Sequence, residues 1–332
     1  MLSLARAGLF CPAGDFHIDP SRGVDHAVVT HAHSDHARRG SREYYCAKPG
    51  LELLRARLGY DISVQGYAYG EKFRLGNVTL SFHPAGHILG SAQVRMEYAG
   101  QVWVASGDYK RESDPTCEPF ESVPCDVFVT EATFGTPAYV WEKGKNLGQE
   151  IHDWWQRNAA RGEHSVLFAY SLGKAQRVLG VLNRLAPKPI ICDPLVTELN
   201  ECYRQEGVPL AQTICLSEIA GHRFDGELLL VPQGFLKSPL AGKLGGRFQT
   251  AFASGWMNGG RSRFHSGYDH GFTMSDHADW NDLVRTILES GARKVYVQHR
   301  NGALVRHLRT LGLQAYPEED LRAGESRQLQ LF

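Results

Sequence analysis

The chain lacks several features that would assign it to a class directly. Its 332 residues carry 36 basic and 36 acidic side chains, so any contact with a polyanion must come from local clustering rather than net charge. No window approaches the roughly 18 apolar residues of a membrane span, and Met1-Leu2-Ser3-Leu4-Ala5-Arg6 has no apolar core of signal-peptide length. The seven cysteines (11, 46, 117, 125, 192, 202 and 215) are odd in number and contain no Cys-x-x-Cys pair. That pattern argues against a disulfide framework or a zinc knuckle, and for reduced thiols in a cytoplasm. There is no internal repeat and no low-complexity linker. With 42% hydrophobic and 22% charged residues, the composition is that of a soluble, cytoplasmic protein with no membrane association. The length predicts two compact units, or one with a large insertion.

What is present is concentrated at a few points. Thr30-His31-Ala32-His33-Ser34-Asp35-His36 packs three imidazoles and a carboxylate into six residues, directly after the apolar run Ala27-Val28-Val29. These side chains suit zinc and similar divalent ions. They suit a core poorly, because each buried polar group needs a partner. The same event recurs along the chain: an apolar strand pattern ends and a candidate ligand follows. Asp108 follows Val102-Trp103-Val104-Ala105, Glu131 follows Val127-Phe128-Val129-Thr130, and His299 follows Val295-Tyr296-Val297. Residues placed where buried strands give way to loops are held by a rigid scaffold. His87 lies among glycines in Pro84-Ala85-Gly86-His87-Ile88-Leu89-Gly90-Ser91, and His277 lies in Ser275-Asp276-His277-Ala278-Asp279. Together these residues have the ligand count that two divalent ions require.

Strand patterns are expected at Ala27–Thr30, Val78–His83, Gln93–Tyr98, Val102–Ala105 and Val127–Thr130, with a helix at Leu51–Leu58. From 165 to 264 the pattern changes to a strand–helix alternation: Val166–Ala169, a helix from Lys174 to Leu185, then Pro187–Ile191, Cys215–Leu216 and Leu228–Val231. That alternation predicts an inserted parallel α/β domain at 165–264, between the two parts of a first domain at 1–164 and 265–332. The polar tail Pro317–Gln330 is expected to attach loosely.

The insertion also carries the candidate substrate contacts. Leu228 to Tyr268 contains no Asp or Glu but holds Lys237, Lys243, Arg247, Arg261 and Arg263, interleaved with Phe235, Phe248, Phe252, Trp256 and Phe264. Basic side chains to follow phosphates and aromatic faces to stack bases suit a single-strand groove; ordinary core aromatics under a solvated face are the alternative. Ser171-Leu172-Gly173-Lys174 lies at a strand-to-helix turn, either as a phosphate cradle through Ser171 and Lys174 or as a simple helix cap.

The ordered set His31-x-His33-x-Asp35-His36, His87 and Asp108 resembles the signature of the metallo-β-lactamase fold. Glu131, the α/β insertion, His277 and His299 resemble the additional motifs of its β-CASP nuclease branch. Phe16-His17-Ile18-Asp19, Ala85-Gly86-His87-Ile88-Leu89-Gly90-Ser91 and Thr130-Glu131-Ala132-Thr133-Phe134-Gly135 are most like the short bacterial ligase-associated DNA exonucleases. A metal-binding histidine at position 299 instead resembles the RNA-processing members. The resemblance covers nearly the whole chain. It implies an αββα sandwich with an inserted β-CASP domain, and two divalent ions, zinc first and manganese as the alternative. His31, His33 and His87 would hold one ion and Asp35, His36 and His299 the other, with Asp108 bridging. Asp19 would orient a ligand by hydrogen bond. Glu131 and His277 would act beside the leaving group, where an imidazole oriented by a carboxylate donates a proton. The implied reaction is attack of a two-metal-activated hydroxide on a phosphodiester, by a DNA exonuclease of repair or processing acting on single-stranded DNA. A DNA ligase or helicase would be the functional associate. The rivals are an RNA-processing nuclease of the same family and a small-molecule hydrolase of the same fold; the latter gives no reason for the basic insertion.

Overall fold

A computed structural model describes residues 1–219, 225–243, 246–258, 267–299 and 302–322. In chain order its elements are β1 (Ser3–Ala5), β2 (Gly8–Cys11), β3 (Phe16–Ile18), β4 (His26–Val28), β5 (Glu43–Ala47), α1 (Leu51–Leu58), β6 (Val64–Tyr67), β7 (Phe73–Leu75), β8 (Val78–Pro84), β9 (Ala92–Tyr98), β10 (Gln101–Ala105) and β11 (Val127–Thr130). There follow α2 (Leu147–Ala159), β12 (His164–Phe168), α3 (Lys174–Leu182), β13 (Ile190–Cys192), α4 (Pro194–Gln205), β14 (Thr213–Cys215), β15 (Leu228–Val231), β16 (Phe248–Ser254) and β17 (His270–Thr273). The chain closes with α5 (Trp280–Glu289), β18 (Lys294–Val297), α6 (Gly302–Thr310) and β19 (Gln314–Pro317). Among the described residues no helix is long and apolar enough to cross a membrane.

The chain divides into two compact units. The first comprises Met1–Ser113, Cys117–Val140 and His277–Phe332, the second Asp114–Thr116 and Trp141–Asp276. In the first unit, β1 to β6 form one sheet in sequence order, antiparallel as far as β3 and parallel beyond it. A second sheet runs β19-β18-β11-β10-β9-β8-β7. The inward faces of the two sheets share one apolar core, which includes Phe16, Val28, Phe82, Val94 and Val129. Because successive strand residues face opposite ways, the alternate residues Val104, Phe128, Val295 and Val297 turn to the other side, where Leu283, Ile287, Leu304 and Leu308 of α5 and α6 cover them. Candidate ligands therefore sit on loops that leave strands clamped on both faces. Of the tail expected to attach loosely, the described part is held: Glu318–Arg322 forms a 3-10 turn with Leu321 buried in the sheet core, and residues 323–330 lie outside the described residues.

The second unit is an all-parallel sheet of order β14-β13-β15-β12-β16-β17. β12 and β15 are buried along their full length, as parallel strands covered by helices on both faces must be. This unit is wider than the expected 165–264. At its start, α2 is capped by Asn146 Oδ1 accepting from Gln149 N at 3.1 Å, and it packs on β12 and α3. At its end, β17 extends the sheet past residue 264. Two of the aromatics read as groove candidates are core residues: Phe235 and Phe252 are buried.

Candidate metal centre

After Val28 the backbone continues for one residue, with Val29 N donating to Tyr45 O, and then coils into a tight turn. His36 N and Ala37 N both donate to His33 O, at 3.1 and 2.8 Å. That coil folds the His-x-His-x-Asp-His run back on itself. His31 Nε2 and His87 Nε2 each lie 3.1 Å from His33 Nδ1. With an Asp108 oxygen, donor atoms of these four residues all fall within 4.8 Å of one another. Zinc–nitrogen bonds of about 2.0–2.1 Å at tetrahedral angles put ligand nitrogens roughly 3.3 Å apart, close to the spacing here.

Two loops deliver the other donors. In the His87 loop, Ser91 Oγ accepts from His87 N at 3.1 Å and Ile88 N at 3.2 Å. Gly90, at φ 70°, lets that loop lie against Gly50, whose N would be 2.1 Å from a Cβ. Gly107, at φ 54°, brings Asp108 off β10 against Thr30, whose Cβ would be 2.7 Å from a Cβ there. Asp108 Oδ2 then becomes a hub, 3.6 Å from His31 Nε2, 3.4 Å from His36 Nε2, 3.8 Å from His87 Nε2 and 3.9 Å from His277 Nδ1. The other oxygen, Asp108 Oδ1, is buried without a hydrogen-bond partner. A buried carboxylate oxygen with no protein partner is costly unless a cation compensates it. The donor set therefore fits a divalent ion.

A second group of donors also meets Asp108. His36 Nε2 is 3.8 Å from Asp35 Oδ2. Its Nδ1–H donates to Asp19 Oδ2 at 2.7 Å, which turns Nε2 toward Asp108. Asp19 and Thr30, Asp35 and His36, and Gln298 and His299 line one cavity of about 220 Å³. His299 occupies the left-handed region at φ 60°, with Ala132 N donating to its Nδ1 at 3.4 Å.

The electrostatics report the same concentration of charge. Burial disfavours charge on His36, but neighbouring Asp108 and Asp19 outweigh it and hold the imidazole well above its ordinary range. Burial works against Asp108 too, and His36 and His277 override it, keeping the carboxylate well below the usual range. For His31, burial and then the adjoining His36 and His87 push the pKa well below normal. That keeps His31 neutral, the form that binds metal.

Beside this cluster, Glu131 is fully buried. Its Oε1 accepts from Tyr109 N at 2.7 Å, and His277 Nδ1–H donates to its Oε2 at 3.0 Å. Donor atoms of Asp108, Glu131 and His277 also lie within 4.8 Å of one another.

Comparison with known proteins points the same way. No protein-family model matches the chain. A protein of Opitutus terrae named "Probable DNA ligase" is 29% identical over 330 residues, 98% of this chain but 31% of its own length. An "RNase J-like protein" of Methanocaldococcus jannaschii is 25% identical over 60% of this chain and 54% of its own. The chain thus spans under a third of the first relative and about half of the second. A crystal structure of a protein of unknown function from Enterococcus faecalis V583 superposes with a TM-score of 0.56 at 12% identity, over 82% of this chain and 74% of that one, a likeness of fold alone. These relatives are consistent with the metallo-β-lactamase-fold β-CASP nuclease family.

The structure gathers the residues that the resemblance singled out in one place: His31, His33, His87 and Asp108 tightly, His36 and Asp35 alongside, and Asp19, Glu131 and His277 in hydrogen-bonded support. The substrate contacts expected in the insertion fare less evenly. Lys174 is buried, with Nζ 2.6 Å from Asp276 Oδ2 and donating to Met274 O at 3.0 Å, so its charge is spent inside the second unit rather than offered to a phosphate. Ser171 is half-buried, its carbonyl accepting from Gln176 Nε2 at 3.0 Å. Lys237 is exposed on the turn after β15. Arg261 and Arg263 lie outside the described residues.

Two supporting residues escaped the sequence reading. The Thr30 hydroxyl donates to Asp19 Oδ2 at 2.6 Å and accepts from His31 Nδ1–H at 3.0 Å, and Ser91 closes the His87 loop. The only signal for either was its position beside a ligand.

Proposed function

We propose that this chain is a two-metal phosphodiesterase of the β-CASP family that shortens single-stranded DNA from an end. The reading gives it the αββα sandwich with inserted β-CASP domain that the family implies. The observation that carries it is the convergence at Asp108 of His31, His33 and His87, of His36 with Asp35 beside it, and of the adjoining His277–Glu131 pair.

His31, His33 and His87 are the residues to hold one ion, and Asp35, His36 and His299 the other, with Asp108 shared. Zinc or manganese bound there would supply Lewis acidity to phosphoryl oxygens and lower the pKa of water. The protein's own contribution is orientation and proton handling. Glu131 fixes the His277 tautomer with the proton on Nδ1, so Nε2 is the nitrogen that carries a transferable proton when the ring is charged. Asp19 and Thr30 do the same for His36 and His31, holding Nδ1 so that Nε2 faces the cluster.

DNA is favoured because a protein named as a DNA ligase aligns with nearly the whole chain, which also makes a ligase the natural functional associate. RNA is the second reading, supported by His299 at the cavity and by the relative named RNase J-like.

The test uses purified protein with zinc or manganese on 5′- and 3′-labelled single-stranded and duplex DNA beside matched RNA. Stepwise DNA shortening that Asp35→Ala abolishes is the expected result. Cleavage of RNA alone would keep the chemistry and change the substrate. Cleavage of neither would bring the small-molecule hydrolase forward.

A further inference from the structure

The central strands of the second unit's sheet, β15, β12 and β16, differ sharply between their two ends. At the amino ends, Glu163 precedes β12 and pairs with Arg247 at 2.7 Å, and Glu227 precedes β15 and pairs with Lys188 at 2.5 Å. Beyond them, Ser165–Cys192 and Leu228–Tyr268 contain no Asp or Glu. These two stretches supply the three strands and the segments that leave their carboxyl ends. The carboxylates that border them are engaged: Asp193 caps α4, and Asp276 pairs with Lys174 and Arg177.

The topology gives that carboxyl edge a particular shape. From β12 the chain crosses to β13 on one side, whereas from β16 it goes to β17 on the other, and β12 and β16 are hydrogen-bonded neighbours. Adjacent parallel strands whose connections depart in opposite directions leave a crevice at their carboxyl ends, where open α/β sheets take ligands. Here each side of the crevice carries an aromatic ring. Tyr170, just past β12, is 48% exposed, and Trp256, just past β16, is 47% exposed. Both are set on ordered backbone. Tyr170 leans edge-on toward Phe252, ring centroids 6.3 Å apart, and Trp256 N donates to Ser254 Oγ at 3.3 Å. The core beneath is already filled by Phe168, Phe235 and Phe252. Exposed Lys237 follows the adjoining β15.

We propose that Tyr170 and Trp256 form a base-stacking subsite for single-stranded nucleic acid at the carboxyl edge of this sheet, with Lys237 contacting the phosphate backbone. The proposal rests on the nuclease reading and names a place in the second unit where the strand is gripped. Flat faces suit bases of any sequence, and central strands whose described residues just past the carboxyl ends include no Asp or Glu suit a polyanion better than an acidic peptide.

The test compares two fluorescent, phosphorothioate-linked strands of equal length that resist cleavage, one oligo-dT and one fully abasic, by anisotropy with the intact protein. The subsite predicts that the base-bearing strand binds about tenfold tighter. Tyr170→Ala or Trp256→Ala should each remove most of that preference while leaving abasic affinity unchanged, and Tyr170→Phe or Trp256→Phe should retain it. Quenching of fluorescence on binding should be weaker in Trp256→Phe than in the parent. Equal binding of both strands by the parent protein, or alanine variants that keep the preference, would overturn the subsite and leave the nuclease reading standing. Failure of the parent protein to bind either strand would overturn both.

Discussion

Thr30 shows how much one hydroxyl can carry at the residue scale. It donates to Asp19 and accepts from His31, and Asp19 in turn orients His36, so one side chain stands behind two candidate ligands. Thr30→Val keeps the volume and removes the hydroxyl; metal affinity should fall about 10- to 100-fold, measurable by competition with a chromophoric chelator. Asp108→Asn should abolish metal retention and turnover together, read by elemental analysis and nuclease assay. Glu131→Gln is expected to act differently. Metal content should hold while kcat drops about 10²–10⁴-fold with KM little changed, as the proposed proton-transfer role of its pair with His277 requires. The candidate ligands were readable in the sequence because imidazole and carboxylate declare their chemistry by residue type. Thr30 and Ser91 were not, since a hydroxyl acquires its role only from what lies within hydrogen-bond reach. Lys174 misled for the same reason: its partner Asp276 lies far away along the chain.

At the scale of elements, the second sheet of the first unit was the most legible part of the fold. β8 to β11 alternate or run apolar over several residues and end near where the pattern says they should. β1 to β3 are only three or four residues long, too short for periodicity to register. β16 was passed over because Phe248 and Phe252 read as groove aromatics, although Phe252 points into the core. The glycines among the site loops are tested by packing. Gly90→Ala combines a positive φ with a Cβ 2.1 Å from Gly50 N, and should cost about 3 kcal/mol with a disturbed His87 loop. Gly100→Ala, with a similar φ and nothing within 4 Å, should cost only about 1 kcal/mol. Urea midpoints of the two variants separate the clash from the backbone strain.

Across the whole molecule, buried thiols set an alkaline limit. Burial pushes the Cys46, Cys125 and Cys192 thiols up to about 12 from an ordinary value of 9.0. In the unfolded chain these thiols ionise above pH 9, while in the folded protein they stay protonated. Their stabilising contribution is therefore complete below pH 9 and is lost as pH rises toward 12. Urea midpoints should decline across that window, and replacing the three cysteines by alanine should flatten the decline. The outline of an insertion was legible because strand–helix alternation replaces the earlier pattern, but its edges were not. α2 and β17 join the second unit through packing and pairing that no local pattern announces.

The order of the strands also has a consequence in time. β11 is hydrogen-bonded on one side to β10, made shortly before it, and on the other to β18, which is made only after residues 141–276. At translation rates of about 5–20 residues per second, that interval lasts roughly ten to thirty seconds. Throughout it the apolar strand Val127-Phe128-Val129-Thr130 waits as an open edge on the nascent chain, the kind of surface on which strangers pair. Ribosome-bound chains halted before residue 290 should thus be clients of chaperones, and chains that have released β18 should not.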